Sequence, residues 1–402
     1  MSEHMYQPAN EDELIACIAD AAAVATPLNI RGGGTRDGLG NPVACEAKLD
    51  LSALTGIVSY NPAELVMTAR AGTPLAEITA ALDANAQMLT FEPMDHRPLY
   101  GGSGTPTIGG VFAVNASGPR RILAGAARDN LLGVRFINGM GEVIQSGGRV
   151  MKNVTGLDLV KLLAGSYGTL GVFSTVTFKV LPKPETAATI VVSGLNDAEA
   201  AAAMAEAMAL PVEVSAAAHL PESVVGRVLN GDLANAPATC LRLEGLTESV
   251  DVRREKLLAA MADKGPVTVI DQERGEKLWC DISNVRPFAD RRDKPLWRVS
   301  VTPSAGHVLV AALRLQTGVD AFYDWQGGLV WLAMEQDPEA TLLRAAIAQL
   351  GGGHATLVRA SADMRASVPV FEPQPKPLAM LSARIKAAID PHNIFNPGRI
   401  TL

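Results

Sequence analysis

Three glycine-rich stretches carry the most specific chemistry in this chain. Gly101-Gly-Ser-Gly-Thr-Pro-Thr-Ile-Gly-Gly110 places five glycines in ten residues and runs on to Asn115-Ala-Ser-Gly118. Glycine at that density lets the backbone take φ > 0 and approach a ligand with no side chain between. Successive free N–H groups in such a bend form a nest suited to pyrophosphate, and Thr105, Thr107 and Ser117 add hydroxyls. Arg31-Gly-Gly-Gly-Thr35 follows the short apolar strand Leu28–Ile30, a setting in which N–H groups can grip a phosphate. Gly165-Ser-Tyr-Gly-Thr-Leu-Gly171 is the third bend. None fits G-x-G-x-x-G or G-x-x-x-x-G-K-[ST], which argues against a Rossmann or P-loop site. Each bend alone is equally a tight turn; the three together point to a dinucleotide site.

The elements that must position these bends follow from capping and periodicity. Asn10 with Glu11, Asp12 and Glu13 starts a helix whose apolar face is Leu14, Ile15, Ile18 and Ala22, and Pro27 stops it. Gly56–Tyr60 and Glu64–Ala69 flank Asn61-Pro62 and predict a hairpin. Thr73-Pro74 opens a helix, and Met88–Phe91 predicts a buried strand. Val134–Ile137 and Glu142–Ile144, about Asn138-Gly139, predict a second hairpin. Val172–Leu181, rich in β-branched and aromatic residues, predicts a strand. Beyond Pro182-Lys-Pro184 the alternation of strand and helix continues to about residue 360. It suggests an α+β sheet of ferredoxin-like type with helices on one face. Pro377–Ala388 predicts a last helix before the turn-rich Asp390–Arg399. No internal sequence repeat appears.

Composition narrows the function. The 402 residues allow two cored domains. The net charge of −7 carries no basic patch, which excludes a nucleic-acid footprint. Cys17, Cys45, Cys240 and Cys280 lie far apart with no C-x-x-C, so neither an iron–sulfur cluster nor structural zinc is expected from this chain alone. The N-terminus has no signal-peptide pattern and no apolar run reaches the ~20 residues of a membrane span. A cytoplasmic location is expected, with any contact to the inner membrane made through partners.

In order and separation the three bends resemble the FAD-binding domain of the vanillyl-alcohol oxidase / p-cresol methylhydroxylase superfamily. Arg31–Thr35 is similar to its pyrophosphate loop, Thr107–Gly110 with Asn115–Gly118 to its second FAD segment, and Lys152–Asp158 through Gly165–Val172 to its third. Asn393–Arg399 resembles its closing Asn-Pro-Gly-Lys segment, with Arg399 in place of Lys. Within the superfamily, Pro62–Leu75, Ala116–Arg121, Leu296–Ser300 and Asp324–Gly328 are most similar to the FAD-binding E subunits of bacterial glycolate oxidases. The resemblance implies an α+β fold: a two-subdomain PCMH-type FAD-binding domain (1–185), a smaller ferredoxin-like cap (186–375), and a segment returning to the FAD domain (376–402).

It also implies a cofactor and a site. FAD would be held by Arg31, Gly32, Gly33, Gly34, Thr35, Gly102, Thr107, Ile108, Gly109, Gly110, Asn115, Ser117, Gly118, Gly168, Gly171, Val172 and Asn396. Thr35 is followed by Arg36 and Asp37, not by the tethering His of some members, so the flavin is expected to be non-covalent. Implied partners are a second flavoprotein subunit and an iron–sulfur subunit, with a small 2-hydroxy acid, glycolate, as substrate.

Oxidising a 2-hydroxy acid needs a base on the hydroxyl and a cation on the carboxylate. The His-x-Gly-Asp-Gly-Asn type segment of related dehydrogenases is missing, so no base is assigned. His354, Arg298 and Trp325 are candidates, against the alternatives of a loop histidine and of strand residues in a core. Arg359 and Trp331 stand beside them. Arg120 and Arg121 could face phosphate, pair with Asp129 or lie on the surface. Three functions stay open: a subunit needing its partners, a self-sufficient 2-hydroxy-acid dehydrogenase, and a scaffold without flavin.

Overall fold

The computed structural model describes residues 4–45, 47–150, 156–233 and 235–400. Asn10 caps the helix Glu11–Ala23 by accepting from the Glu13 N–H at 2.9 Å. The helix buries Leu14, Ile18 and Ala21, spaced on one face, against a small parallel sheet. That sheet, in the order β1-β3-β2, is made of β1 (His4–Tyr6), β2 (Leu28–Arg31) and β3 (Ala47–Asp50). The second sheet is antiparallel.

Its strands come from the run β4 (Ile57–Asn61), β5 (Val66–Arg70), β6 (Gln87–Met88), β7 (Leu131–Ile137), β8 (Val143–Gly147), β9 (Val172–Lys179) and β10 (Leu181–Pro182). The order is β4-β5-β9-β7-β8, while β6 and β10 pair separately. Of the strand expected at Met88–Phe91 only its first residue is in β6. Phe91 is fully buried in a turn, because Glu92 takes φ 46° and Pro93 follows.

The remaining strands form one eight-stranded antiparallel sheet. They are β11 (Thr186–Ser193), β12 (Ala216–Leu220), β13 (Ala238–Gly245), β14 (Val267–Ile270), β15 (Leu296–Ser300), β16 (Val319–Asp324), β17 (Leu329–Met334) and β18 (His354–Arg359). The order β14-β11-β13-β12-β16-β17-β15-β18 divides into two halves. Each half is a β-α-β-β-α-β unit in the order fourth-first-third-second. The first uses helices Asp197–Ala209 and Thr247–Met261, the second Gly306–Arg314 and Ala340–Gln349. The ferredoxin-like arrangement therefore occurs twice. The second strands of the two units meet edge to edge, His219 opposite Tyr323. The repeat is one of topology, carried by unlike sequences.

Asp197 pins this seam. Its Oδ2 accepts from Tyr323 Oη at 2.7 Å and Arg314 Nη1 at 2.8 Å, and His219 Nε2 lies 3.4 Å from its Oδ1. One face of the sheet buries these four helices, with Leu309, Leu313, Leu343 and Ile347 in one cluster and Ala203, Ala207 and Leu257 in another. Helix Gln272–Ser283 packs Leu278, Trp279 and Ile282 on the opposite face, so the helices do not all lie on one side. The other face packs Phe322, Trp331 and Val358 with Leu39, Met94 and Leu99 of the first domain.

The chain ends back on that first domain. Helix Lys376–Ile389 sets Ile385 and Ile389 against the second sheet's core. Ile394 and Phe395 are buried beside the first sheet, where Phe395 bridges Leu28. Lys386 Nζ, buried, donates to Asp390, Thr169 O and Phe395 O. Among the described residues no helix is long and apolar enough to cross a membrane, and no group of His, Cys, Asp and Glu could hold a metal.

Candidate functional site

The three bends converge on one slot. Gly33 and Thr105 pair as a backbone bridge, Thr105 N donating to Gly33 O at 2.9 Å. A Cβ on Gly33 would sit 1.8 Å from Thr105 O, and one on Gly32 2.4 Å from Thr107 Oγ1. The close approach of the two segments therefore excludes side chains here. The third bend hooks onto the second stretch through Gly165 N to Phe112 O (3.0 Å) and Tyr167 N to Ala113 O (2.8 Å). It needs left-handed backbone at Tyr167 (φ 56°) and Gly168 (φ 69°).

Arg31 through Thr35, Thr107, Gly109, Gly110, Gly168, Gly171, Val172 and Asn396 line the slot. Ile108, Gly102, Asn115, Ser117 and Gly118 do not. Ile108 is wholly buried in the core. Gly102 is exposed with open space around it. Asn115 Oδ1 accepts from Arg128 N at 2.8 Å, and Ser117 Oγ from Ala127 N at 2.9 Å. Gly118 packs on the Glu92 carbonyl and gives its own carbonyl to Trp325 Nε1 at 3.0 Å. Ile108, Asn115, Ser117 and Gly118 hold the wall's shape from behind, and Gly102 takes no part in it. Lys152–Thr155 of the third segment lie outside the described residues. Asp158 caps the helix Leu159–Leu163.

Arg36 also lines the slot. Sequence reasoning noted it only as the absence of a histidine. Burial lowers its guanidinium to about 10, and two of its nitrogens, Nε and Nη2, are buried without partners. A cradle too tight for any Cβ and a cation with open valence fit a flavin nucleotide, whose diphosphate asks for N–H donors and positive charge.

A second cluster gathers around Trp325. Its φ is 51°, an uncommon backbone state for a bulky residue. Asp324 Oδ1 accepts from the Trp325 N–H at 2.7 Å. The indole lies 4.4 Å from the Arg121 guanidinium and 4.9 Å from that of Arg298. Arg298 pairs with Thr356, and Ser300 with His354, across β15 and β18. Alternation therefore puts the Arg298 and His354 side chains on one face of the sheet, the face turned to the first domain. Burial, then Arg121, lowers Arg298 to about 10. Burial, then Arg298 and Arg121, hold the His354 imidazole below its ordinary pKa.

The other candidates are committed elsewhere. Arg359 gives its guanidinium to the Phe288, Arg291 and Lys294 carbonyls. Trp331 packs in the core beside Phe322. Arg120 does not pair with Asp129; it reaches Glu244 at 2.6 Å.

Residues 2–147 match the family model described as FAD binding domain. The chain is 34% identical over 388 residues, 96% of each chain, to glycolate oxidase subunit GlcE of Escherichia coli (strain K12). The chain belongs to the GlcE family of glycolate oxidase subunits. It is also 23% identical to glycolate oxidase subunit GlcD of Bacillus subtilis (strain 168), covering all of this chain and 89% of that one. Its fold is similar to p-cresol methylhydroxylase with substrate bound, at TM-score 0.73 and 15% identity, over 99% of this chain and 89% of that one. The α+β, PCMH-type fold, membership of an FAD-binding oxidoreductase family, and FAD as cofactor stand on these matches together.

Proposed function

We propose that this chain is the FAD-bearing subunit of a glycolate-oxidising complex. It turns glycolate into glyoxylate and passes the electrons to an iron–sulfur partner. The observation that carries the reading is the slot in which three distant glycine bends meet, together with the cluster of Arg121 and Arg298 on the Trp325 ring and His354 on the same sheet face as Arg298. FAD, when bound, supplies the two-electron acceptor for the hydroxy acid. The protein's part is to hold and deprotonate the substrate. Arg298 and Arg121 suit a carboxylate, in hydrogen bonds strengthened by charge. His354, kept neutral at pH 7, suits the role of proton acceptor for the hydroxyl. Arg31–Thr35, Thr107, Gly109, Gly110, Gly168, Gly171, Val172 and Asn396 are the residues assigned to FAD.

The chain carries no cluster of cysteines to take electrons onward, which supports dependence on a partner. The test is glycolate-dependent dye reduction by the purified chain, alone and after co-purification with its complex partners. Bound flavin with little turnover alone and full turnover in the complex is expected. Equal turnover alone would favour a self-sufficient dehydrogenase. A chain that never takes up flavin would leave a scaffold.

A further inference from the structure

Backbone N–H groups line the slot but bring no formal charge, while the diphosphate of a dinucleotide is dianionic. Among the described lining residues three are arginines. Arg31 pairs with Asp37 at 3.5 Å. Arg399 gives Nη1 to the Leu39 carbonyl (2.8 Å) and Nη2 to Asn29 Oδ1 (3.2 Å), and in Arg31 and Arg399 Nε alone is buried without a partner. Arg36 makes one long bond, from Nη1 to Thr35 Oγ1 at 3.4 Å. Its Nε and Nη2 have no partner. Those two nitrogens form one edge of the guanidinium fork, the edge that grips a phosphate through two parallel N–H···O bonds. A Cβ on Gly110 would lie 3.1 Å from Nη1, so the head group rests against the Thr107–Gly110 wall, across the slot from its own loop. Nε and Nη2 are the buried part of the head group, and burial there outweighs the charge of Asp95, so a cation left this way is costly until an anion meets it.

We propose that Arg36 is a FAD-binding residue whose Nε–Nη2 edge takes the diphosphate, supplying the charge that the glycine bends lack. The assignment rests on the reading of the slot as the FAD site. It makes Arg36 a residue that destabilises the flavin-free chain and stabilises the loaded one.

The test uses the flavin-free full chain as wild type, Arg36→Gln and Arg36→Lys. Each is titrated with FAD and, separately, with riboflavin, which has the ring without the diphosphate. Arg36→Gln is expected to weaken FAD binding roughly 10- to 100-fold, the range of a lost charge-assisted pair, and to leave riboflavin binding within about twofold. Arg36→Lys keeps part of the affinity, as a point charge without the fork. Flavin-free Arg36→Gln melts at or above the wild type. FAD affinity unchanged in Arg36→Gln, or FAD and riboflavin weakened alike, overturns the assignment. A flavin-free Arg36→Gln chain that melts well below wild type overturns it too. A wild-type chain that takes up no FAD overturns the reading of the slot, and the assignment with it.

Discussion

Asn396 donates its side-chain amide to the Tyr167 carbonyl at 2.8 Å, across 229 residues of chain. The same amide accepts from the Ile30 N–H through Oδ1 at 2.8 Å. One side chain thus joins the strand leading to the first glycine bend, the third bend and the C-terminal segment. Asn396 does so with φ 40°, a left-handed state that asparagine tolerates better than most residues. Asn396→Ala leaves a buried donor and acceptor unpaired. It is expected to cost about 1–3 kcal/mol in denaturant unfolding and to weaken FAD binding in titration. Asn396→Asp, which keeps the acceptor and loses the donor, should fall between.

The seam of the eight-stranded sheet sets an acid limit. Burial alone would raise the Asp197 carboxyl, but the nearby His219 ring, the hydrogen bond from Tyr323 and the charge of Arg314 outweigh it and bring it down to about 2. A carboxyl held lower in the folded than in the unfolded chain stabilises the fold above its unfolded value, near 4, and loses that contribution as pH falls toward 2. Melting temperature followed from pH 5 to pH 2 should therefore drop less steeply in Asp197→Asn, which starts from a lower stability at pH 5. Parallel curves would show that the cluster contributes nothing through charge.

The cluster around Trp325 makes a kinetic prediction. His354 is held below its ordinary value, so the acid limb of kcat/KM for glycolate in the complex should lie below the usual histidine range. Arg298→Met removes a neighbouring positive charge and should move that limb up in pH. It should also raise KM roughly tenfold or more, as expected for a lost charged hydrogen bond. His354→Asn should lower kcat about 100-fold or more with KM little changed. An acid limb that survives His354→Asn would remove the histidine from the proton transfer.

No histidine lines the slot among the described residues, so the flavin has no imidazole there to join. Acid precipitation should release all the yellow colour into the supernatant. Colour kept in the pellet would show a covalent link.

The glycine bends were legible through their density, though the causes differ: Gly168 answers to a local left-handed backbone (φ 69°), Gly33 to the close approach of the Thr105 carbonyl. Asn396 was legible only through the family's closing segment, since nothing local foretells a bond to Tyr167. The strand Ala216–Leu220 escaped because three alanines and no β-branched residue declare it. Burial between β13 and β16, a tertiary effect, makes it a strand. Helix Gln272–Ser283 was passed over although Asp271 caps it. The doubling of the β-α-β-β-α-β unit was invisible, since the two units share strand order and not residues. Arg36 escaped for another reason: that its Nε and Nη2 are buried without partners is a property of the packed slot, which no residue type or spacing shows.

Everything above depends on one flavin nucleotide sitting where the three bends meet. Calorimetric titration of FAD into the flavin-free chain tests this most directly, with Gly33→Ala as the control. The account predicts one FAD per chain, and loss of binding in a folded Gly33→Ala chain, whose added methyl meets the Thr105 carbonyl. A folded wild-type chain that gives no binding heat, or a Gly33→Ala chain that binds FAD as tightly as wild type, would contradict it.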